Sequence, residues 1–208
     1  TVWAHQIKTP IAAMQLSLQS EDTETARKLT SDLNRIEEYV EMVLTFLRLD
    51  SDSTDYLIRE YDLDGIIRTS VRKFSREFIL KKLTLDYKPV NYTVLTDEKW
   101  LTFVIEQIIS NAVKYTTEGS VRIYMNEPGI LCIEDTGIGI SAEDLPRIFE
   151  NGYTGFNGRE DKRASGIGLY LCKRITENLG HTISAESQPG RGTTIILDFR
   201  TTRLVTED

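Results

Sequence analysis

The chain has 208 residues, 40% hydrophobic and 27% charged, with a formal net charge of -7 and two cysteines. That length supports one or two domains with a real core, and the acidic balance argues against a dedicated nucleic-acid partner. Cys132 and Cys172 stand in apolar runs without metal-ligand spacing and read as buried free thiols of a reducing compartment, and no run of about 18 apolar residues reads as a bilayer span. The chain opens at Thr1, without Met and inside a helical pattern, so it is expected to be a piece of a longer protein.

Residues 2–18 carry Ile7, Ile11, Met14 and Leu18 at the four-three-four spacing of a helix that packs on other helices. Pro10 interrupts it, and an internal proline costs about 3 kcal/mol, so a kink or a functional reason is expected there. His5 and Thr9 lie one turn apart on the face away from the seam, open to solvent or to a visiting partner. From Glu21 to Leu49 a second helix repeats Leu29, Leu33, Ile36, Val40, Val43 and Leu47. One hairpin cannot bury both seams, and a homodimer forming a four-helix bundle is the natural solution. The polar run from Asp50 to Asp55 breaks the pattern. It divides a hairpin domain (1–50) from a second domain (56–203), with 51–55 as linker and 204–208 as a tail.

Beyond the linker the periodicity changes. Tyr56 to Tyr61 reads as a strand, Leu63 to Leu80 as one amphipathic helix capped by Asp62, and Leu83 to Tyr87 and Thr93 to Leu95 as strands. Asp97 caps a helix reaching Tyr115, and Val121 to Met125 pairs with Ile130 to Glu134 across Asn126-Glu127-Pro128-Gly129. Ser141 and Asp144 have capping-box spacing at the head of a short helix to Phe149. A helix ending at Leu179 precedes two strands, Thr182 to Ser187 and Thr193 to Phe199. The fold class is α+β: a helical hairpin, then a sandwich with helices on one face of a mixed, mostly antiparallel sheet.

Two glycine turns carry the chemistry. Asp135-Thr136-Gly137-Ile138-Gly139-Ile140 follows an apolar strand, which delivers the Asp135 carboxylate at a strand end where it can accept a hydrogen bond from an exocyclic amine. Gly137 and Gly139 admit close approach or positive φ. Ser165-Gly166-Ile167-Gly168-Leu169 opens a helix whose N-terminal amides attract phosphate. Upstream, Gln107, Asn111 and Lys114 line one face of the helix from Asp97 amid apolar neighbours. An amide oxygen on Asn111 suits a hard cation such as Mg²⁺, and Lys114 offers phosphate a point charge. Ordinary turns and a solvated helix face are the bland reading of each motif alone; their combination favours a nucleotide. His181, at a helix-to-strand turn, and Trp3 and Trp100 read as structural.

His5-Gln6-Ile7-Lys8-Thr9-Pro10, Asn111-Ala112-Val113-Lys114-Tyr115, Asp135-Thr136-Gly137-Ile138-Gly139, Phe149, Gly166-Ile167-Gly168-Leu169 and Gly190-Arg191-Gly192-Thr193-Thr194 stand in the order of the boxes of bacterial sensor histidine kinases. The chain resembles the cytoplasmic core of that family, and Phe149 to Gly155 resembles the subgroup that works beside peptide-antibiotic transporters. The resemblance implies a nucleotide domain of the histidine kinase, gyrase and Hsp90 type. It implies ATP and Mg²⁺ as cofactors, with Asp135 on adenine, Asn111 on the metal, and Gln107, Lys114 and Tyr115 around phosphates or ribose. Gly137, Gly139, Ile140, Phe149, Gly166, Ile167, Gly168, Leu169, Thr193 and Thr194 complete that site. A lid from Glu150 to Ser165 would bring Arg159, Lys162 or Arg163 to the γ-phosphate. His5 would take the phosphoryl group and pass it to an aspartate of a response regulator receiver domain, and Thr9 would orient water for the reverse dephosphorylation. The whole protein would be anchored in the plasma membrane with this core in the cytoplasm.

Two departures accompany the resemblance. Gln6 stands where most relatives have an acid after the histidine, and a carboxamide cannot take a proton, so the base is unnamed. Gln107 stands where many relatives have Asn, one methylene shorter. Two other functions remain open on the same fold: an ATP-binding scaffold or mainly a phosphatase, motivated by Gln6, and an ATPase of chaperone, topoisomerase or mismatch-repair type. Because the first helix begins so close to His5, the dimer is expected to be weakened.

Overall fold

The computed structural model describes residues 2–49, 56–155 and 165–200, with side chains from residue 6. The chain forms two compact units, Thr1–Thr54 and Asp55–Asp208. The first is a hairpin of α1 (Val2–Gln19) and α2 (Glu24–Leu49). Thr23 accepts from the Ala26 amide at 3.0 Å and so caps α2, which starts at Glu24 rather than at the expected Glu21. Lys8 bonds Glu41, and Gln15 donates to Asn34 at 2.9 Å, fixing an antiparallel register. Helix α1 runs unbroken through Pro10.

The anticipated seams are only partly closed within this hairpin. Ile11 and Leu33 are buried together with Ala26, Met42, Thr45 and Leu49. Ile7, Met14, Leu29, Ile36, Val43 and Leu47 stay exposed. The interhelical contact is therefore rotated from the seam read off the sequence, and the larger side chains of that stripe face outward.

The second unit holds β1 (Arg59–Asp62), α3 (Leu63–Lys73), α4 (Ser75–Lys81), β2 (Thr84–Tyr87), β3 (Thr93–Thr96), α5 (Glu98–Tyr115), β4 (Ser120–Glu127), β5 (Ile130–Asp135), α6 (Gly168–Asn178), β6 (Thr182–Gln188) and β7 (Gly192–Asp198). The main sheet has the order β2-β4-β5-β7-β6, parallel between β2 and β4 and antiparallel elsewhere, while β1 and β3 form a separate antiparallel pair. The expected α+β sandwich is what the chain builds. Helix α5 packs on α3, α6 and β5, and the core joins Leu63 and Ile67, Leu101, Ile105, Ile108 and Ile109, Leu171 and Ile175, with Ile123, Leu131 and Ile133 from the sheet.

Two expected helices change. The stretch Leu63 to Leu80 is not one helix, because the chain leaves helical geometry at Phe74 (φ -98°, ψ 7°). Phe74 and Phe78 are buried on either side of that turn, at the four-residue spacing an unbroken helix would also give, whereas Ile79 and Leu80 are 75% and 70% exposed. Asp62 does cap α3, accepting from Asp64 and Gly65 amides. The helix expected from Ser141 to Phe149 shrinks to a 3₁₀ turn, Leu145–Arg147. Ser141 still accepts from the Asp144 amide at 3.1 Å, but Pro146 has no amide to extend the ladder.

Candidate nucleotide-binding site

Strand β5 alternates across the sheet, so Leu131, Ile133 and Asp135 share the face toward the helices. That places the Asp135 carboxyl at the strand end, buried, where its Oδ1 accepts from the Gly137 amide at 2.8 Å. Burial drives its pKa up to about 6, against the pull of the Gly137 and Thr193 backbone amides. The structure thus holds a carboxylate that costs free energy to ionise, aimed from a fixed turn.

The turn after Asp135 is fixed by its own backbone. Ile138 N–H donates to the Tyr115 carbonyl at 3.2 Å, and a Cβ on Gly137 would lie 2.4 Å from that same oxygen. Gly139 has φ +70° and faces the Gln188 carbonyl, which an added Cβ would meet at 2.0 Å. Both glycines are therefore demanded by contacts with the protein's own chain. Ile140 N–H donates to Ser187 Oγ at 2.8 Å, and Ser187 Oγ lies 2.7 Å from the Gly192 carbonyl and 2.9 Å from Thr193 Oγ1. Ser187 was not singled out from sequence, since its partners are 47 and about half a dozen residues away and no local pattern announces them.

The C-terminal half of α5 borders this turn through Tyr115. Gln107, Asn111, Lys114 and Tyr115 are half-buried on a helix whose Ile108, Ile109, Ala112 and Val113 enter the core. The Lys114 ammonium sits 4.9 Å from the Tyr115 ring centroid. Register pairs Thr193 with Asp135 and Thr194 with Glu134. Thr193 therefore shares the Asp135 face, and Thr194 lies on the opposite face of the sheet, away from the carboxyl.

On the other side, Gly152 N–H donates to the Gly166 carbonyl at 3.0 Å, and Gly166 has φ +68° where a Cβ would strike Gly152. Ser165 Oγ accepts from Ile167 at 3.3 Å, and α6 begins at Gly168 with no side-chain cap. Its first amides are a ready anion site. Leu169 at this end and Phe149 are half-buried. Tyr153 donates to Asp144 at 2.5 Å beneath Arg147, whose guanidinium is 4.2 Å from the Tyr153 ring. Arg159, Lys162 and Arg163 lie outside the described residues.

Residues 96–203 match the family described as histidine kinase-, DNA gyrase B- and HSP90-like ATPase. The chain belongs to that family. Over 208 residues it is 35% identical to the sensor histidine kinase YxdK of Bacillus subtilis strain 168, covering 96% of this chain and 63% of YxdK. It is 37% identical to the sensor histidine kinase GraS of Staphylococcus haemolyticus, covering 96% of this chain and 59% of GraS. The chain thus spans about 60% of the length of these curated relatives. Its fold is similar to that of full-length ShkA in complex with AMPPNP (TM-score 0.68, 22% identity, 96% of this chain and 45% of ShkA). It is also similar to the histidine kinase AdeS of Acinetobacter baumannii (TM-score 0.62, 23% identity, 95% and 98%).

Within this ATPase-family domain, Asp135, Gly137, Gly139 and Ile140 are brought beside Tyr115 and Thr193. On the hairpin, Gln6 and Thr9 are exposed one face-turn apart on α1, which also includes His5; the His5 and Trp3 side chains lie outside the described ones. Trp100 is buried with its ring 5.8 Å from that of Tyr56, a packing role. His181 is 2% exposed and meets Phe199 edge-on at 5.0 Å, with neither ring nitrogen hydrogen-bonded. Among the described residues no helix is long and apolar enough to cross a membrane.

Proposed function

We propose that this chain is the ATP-dependent catalytic core of a sensor histidine kinase. The observation that carries the reading is the buried Asp135 at the end of β5, joined through its glycine turn to the end of the helix bearing Asn111 and Lys114. Asp135 accepts from the exocyclic amine of adenine. Lys114, Tyr115 and the first amides of α6 take phosphate and ribose, with Gln107, Phe149, Ile167 and Leu169 around them. The described residues contain no group of three or more acids, histidines or cysteines able to cage a metal. A half-buried amide oxygen on Asn111 suits an ion that arrives largely coordinated by the triphosphate and water, as Mg²⁺ does. When bound, Mg²⁺ would neutralise charge on the β- and γ-phosphates.

A ring nitrogen of His5 attacks the γ-phosphorus, the bond to the β,γ-bridging oxygen breaks, and ADP leaves with that electron pair. Positioning and charge stabilisation supply most of the acceleration in such a transfer. The phosphoryl group then passes to an aspartate carboxylate of a response regulator receiver domain, and Thr9, exposed on α1, orients water for the opposing hydrolysis. The exposed stripe of Ile7, Met14, Ile36 and Val43 supports assembly as a homodimer. The whole protein is proposed to be anchored in the plasma membrane with this core in the cytoplasm. Its segment Phe149 to Gly155 supports work beside a peptide transporter.

With Mg²⁺ and γ-labelled ATP, the chain is expected to acquire acid-labile, base-stable label that disappears in His5→Ala. Measurable ATP binding without label would refute the kinase reading and favour the scaffold or phosphatase, whose motive is Gln6.

A further inference from the structure

The last carbonyls of an α-helix have no intrahelical partner and must be satisfied from elsewhere. At the end of α5 each of them can be followed. The Ala112 carbonyl accepts from Thr116 N–H at 3.1 Å, and the Tyr115 carbonyl from Ile138 N–H at 3.2 Å. The Val113, Lys114 and Thr116 carbonyls all converge on one ammonium, Lys81 Nζ, at 2.6, 3.1 and 3.2 Å. Lys81 is the last residue of α4, 32 positions before Val113, so the clamp joins two elements that no local sequence signal connects.

We propose that Lys81 is a positioning residue of the nucleotide site, setting the end of α5 so that Asn111, Lys114 and Tyr115 meet the phosphates and metal of Mg·ATP. Three donors of one ammonium are spent on three carbonyls, which fixes the terminal turn in place and places a cation at the negative end of the helix dipole. Burial lowers the pKa of this ammonium from its ordinary value. Asn111 lies one turn before the clamped carbonyls and Lys114 within them, while the Tyr115 carbonyl binds the turn that follows Asp135. The clamp therefore lies between the metal and phosphate side of the site and its adenine side. Lys82, the one described non-glycine residue at positive φ (56°), ends α4 in a left-handed cap immediately after Lys81.

This inference rests on the ATP reading, and two ligands keep the two separable. Affinity of the full 208-residue chain is measured for Mg·ATP and, in chelator, for metal-free ADP, with folding followed by circular dichroism. Lys81→Met keeps the aliphatic stem and removes the donors; it should weaken Mg·ATP at least tenfold and metal-free ADP less than threefold. Lys81→Arg should fall between, because a planar fork cannot converge on three carbonyls as an ammonium does. Lys82→Met, which removes a neighbouring charge outside the clamp, should bind both ligands within twofold of the parent chain. Equal losses for the two ligands in Lys81→Met, or an unchanged affinity with only a lower melting temperature, would overturn the positioning role. Should Lys81→Met not fold, Lys81→Arg decides in its place, and Mg·ATP affinity equal to that of Lys82→Met would overturn the role. Failure of the parent chain to bind either nucleotide would remove the ATP reading itself, and the inference with it.

Discussion

The two units of this chain solve burial in opposite ways. The sandwich is closed on itself: Leu63, Ile67, Leu101, Ile105 and Ile109 from α3 and α5 are fully buried against Ile123 and Leu131 of the sheet. The hairpin buries a few residues between α1 and α2 and leaves Leu16, Leu47 and Val43 exposed at 66%, 60% and 51%. The candidate nucleotide site is thus built on a unit that contains its own core, whereas the unit carrying His5 leaves apolar surface exposed, which fits the proposed homodimer.

The largest test of that contrast pairs two leucines. Leu101→Ala empties a fully buried position of α5 and should cost about 2–5 kcal/mol, lowering the melting temperature of the sandwich by on the order of 10 °C. Leu47→Ala removes an exposed side chain and should move that transition by less than about 0.5 kcal/mol. In calorimetry, comparable shifts from the two variants would erase the distinction between a closed and an open core.

A second test separates function from stability inside the sandwich. On the proposed adenine role, Asp135→Asn should reduce ATP affinity by about a hundredfold, because a neutral amide accepts more weakly than a carboxylate and turns a donor toward the exocyclic amine. The same change should stabilise the nucleotide-free protein at pH 7. The folded pKa of Asp135 is raised to about 6 from 3.8, so its favourable contribution is full below the unfolded value and lost as pH rises through 6. At pH 7 the fold carries a buried charge that the amide lacks. A gain of about 1–2 kcal/mol is expected after allowance for its partial exposure. Normal ATP affinity in the variant would refute the adenine role, and a marked loss of melting temperature would refute the strain ascribed to the carboxylate.

The same two regions differ in how legible they were. In the sandwich, the strand ending at Asp135, the glycine turns and the amphipathic α5 were readable because each is a short-range pattern: alternation, a cap, a positive φ. Helix α3 was overrun past Phe74 because Phe74 and Phe78 stand at helical spacing, so the apolar face runs on across the turn and periodicity does not mark the break. Ser187 and Lys81 escaped notice because their partners are remote in sequence. In the hairpin both helices were legible, yet the seam was not. An a/d stripe says which face is apolar, and Ile36 and Val43 show that it does not say which of two neighbours covers that face.

The smallest expected effect is a pH dependence, and it sharpens the picture of the closed unit. His181 is buried edge-on to Phe199 with no hydrogen bond to either ring nitrogen, and burial pulls its pKa down to about 4 from 6.5 against the weak opposing field of Asp198. A depressed folded pKa gives stability that is full above 6.5 and is lost as pH falls toward 4. Asp135 acts in the other direction, gaining as pH falls below about 6. The two partly cancel between pH 6.5 and 4, so the parent sandwich should be nearly indifferent to pH there as far as these groups are concerned. His181→Leu removes one side of the balance. Its stability, compared with the parent by urea titration, should be similar at pH 7 and higher by about 1–2 kcal/mol at pH 5. Parallel pH profiles for the two proteins would mean that His181 becomes charged inside the fold without penalty, which a ring with both nitrogens unpartnered in an apolar wall does not permit.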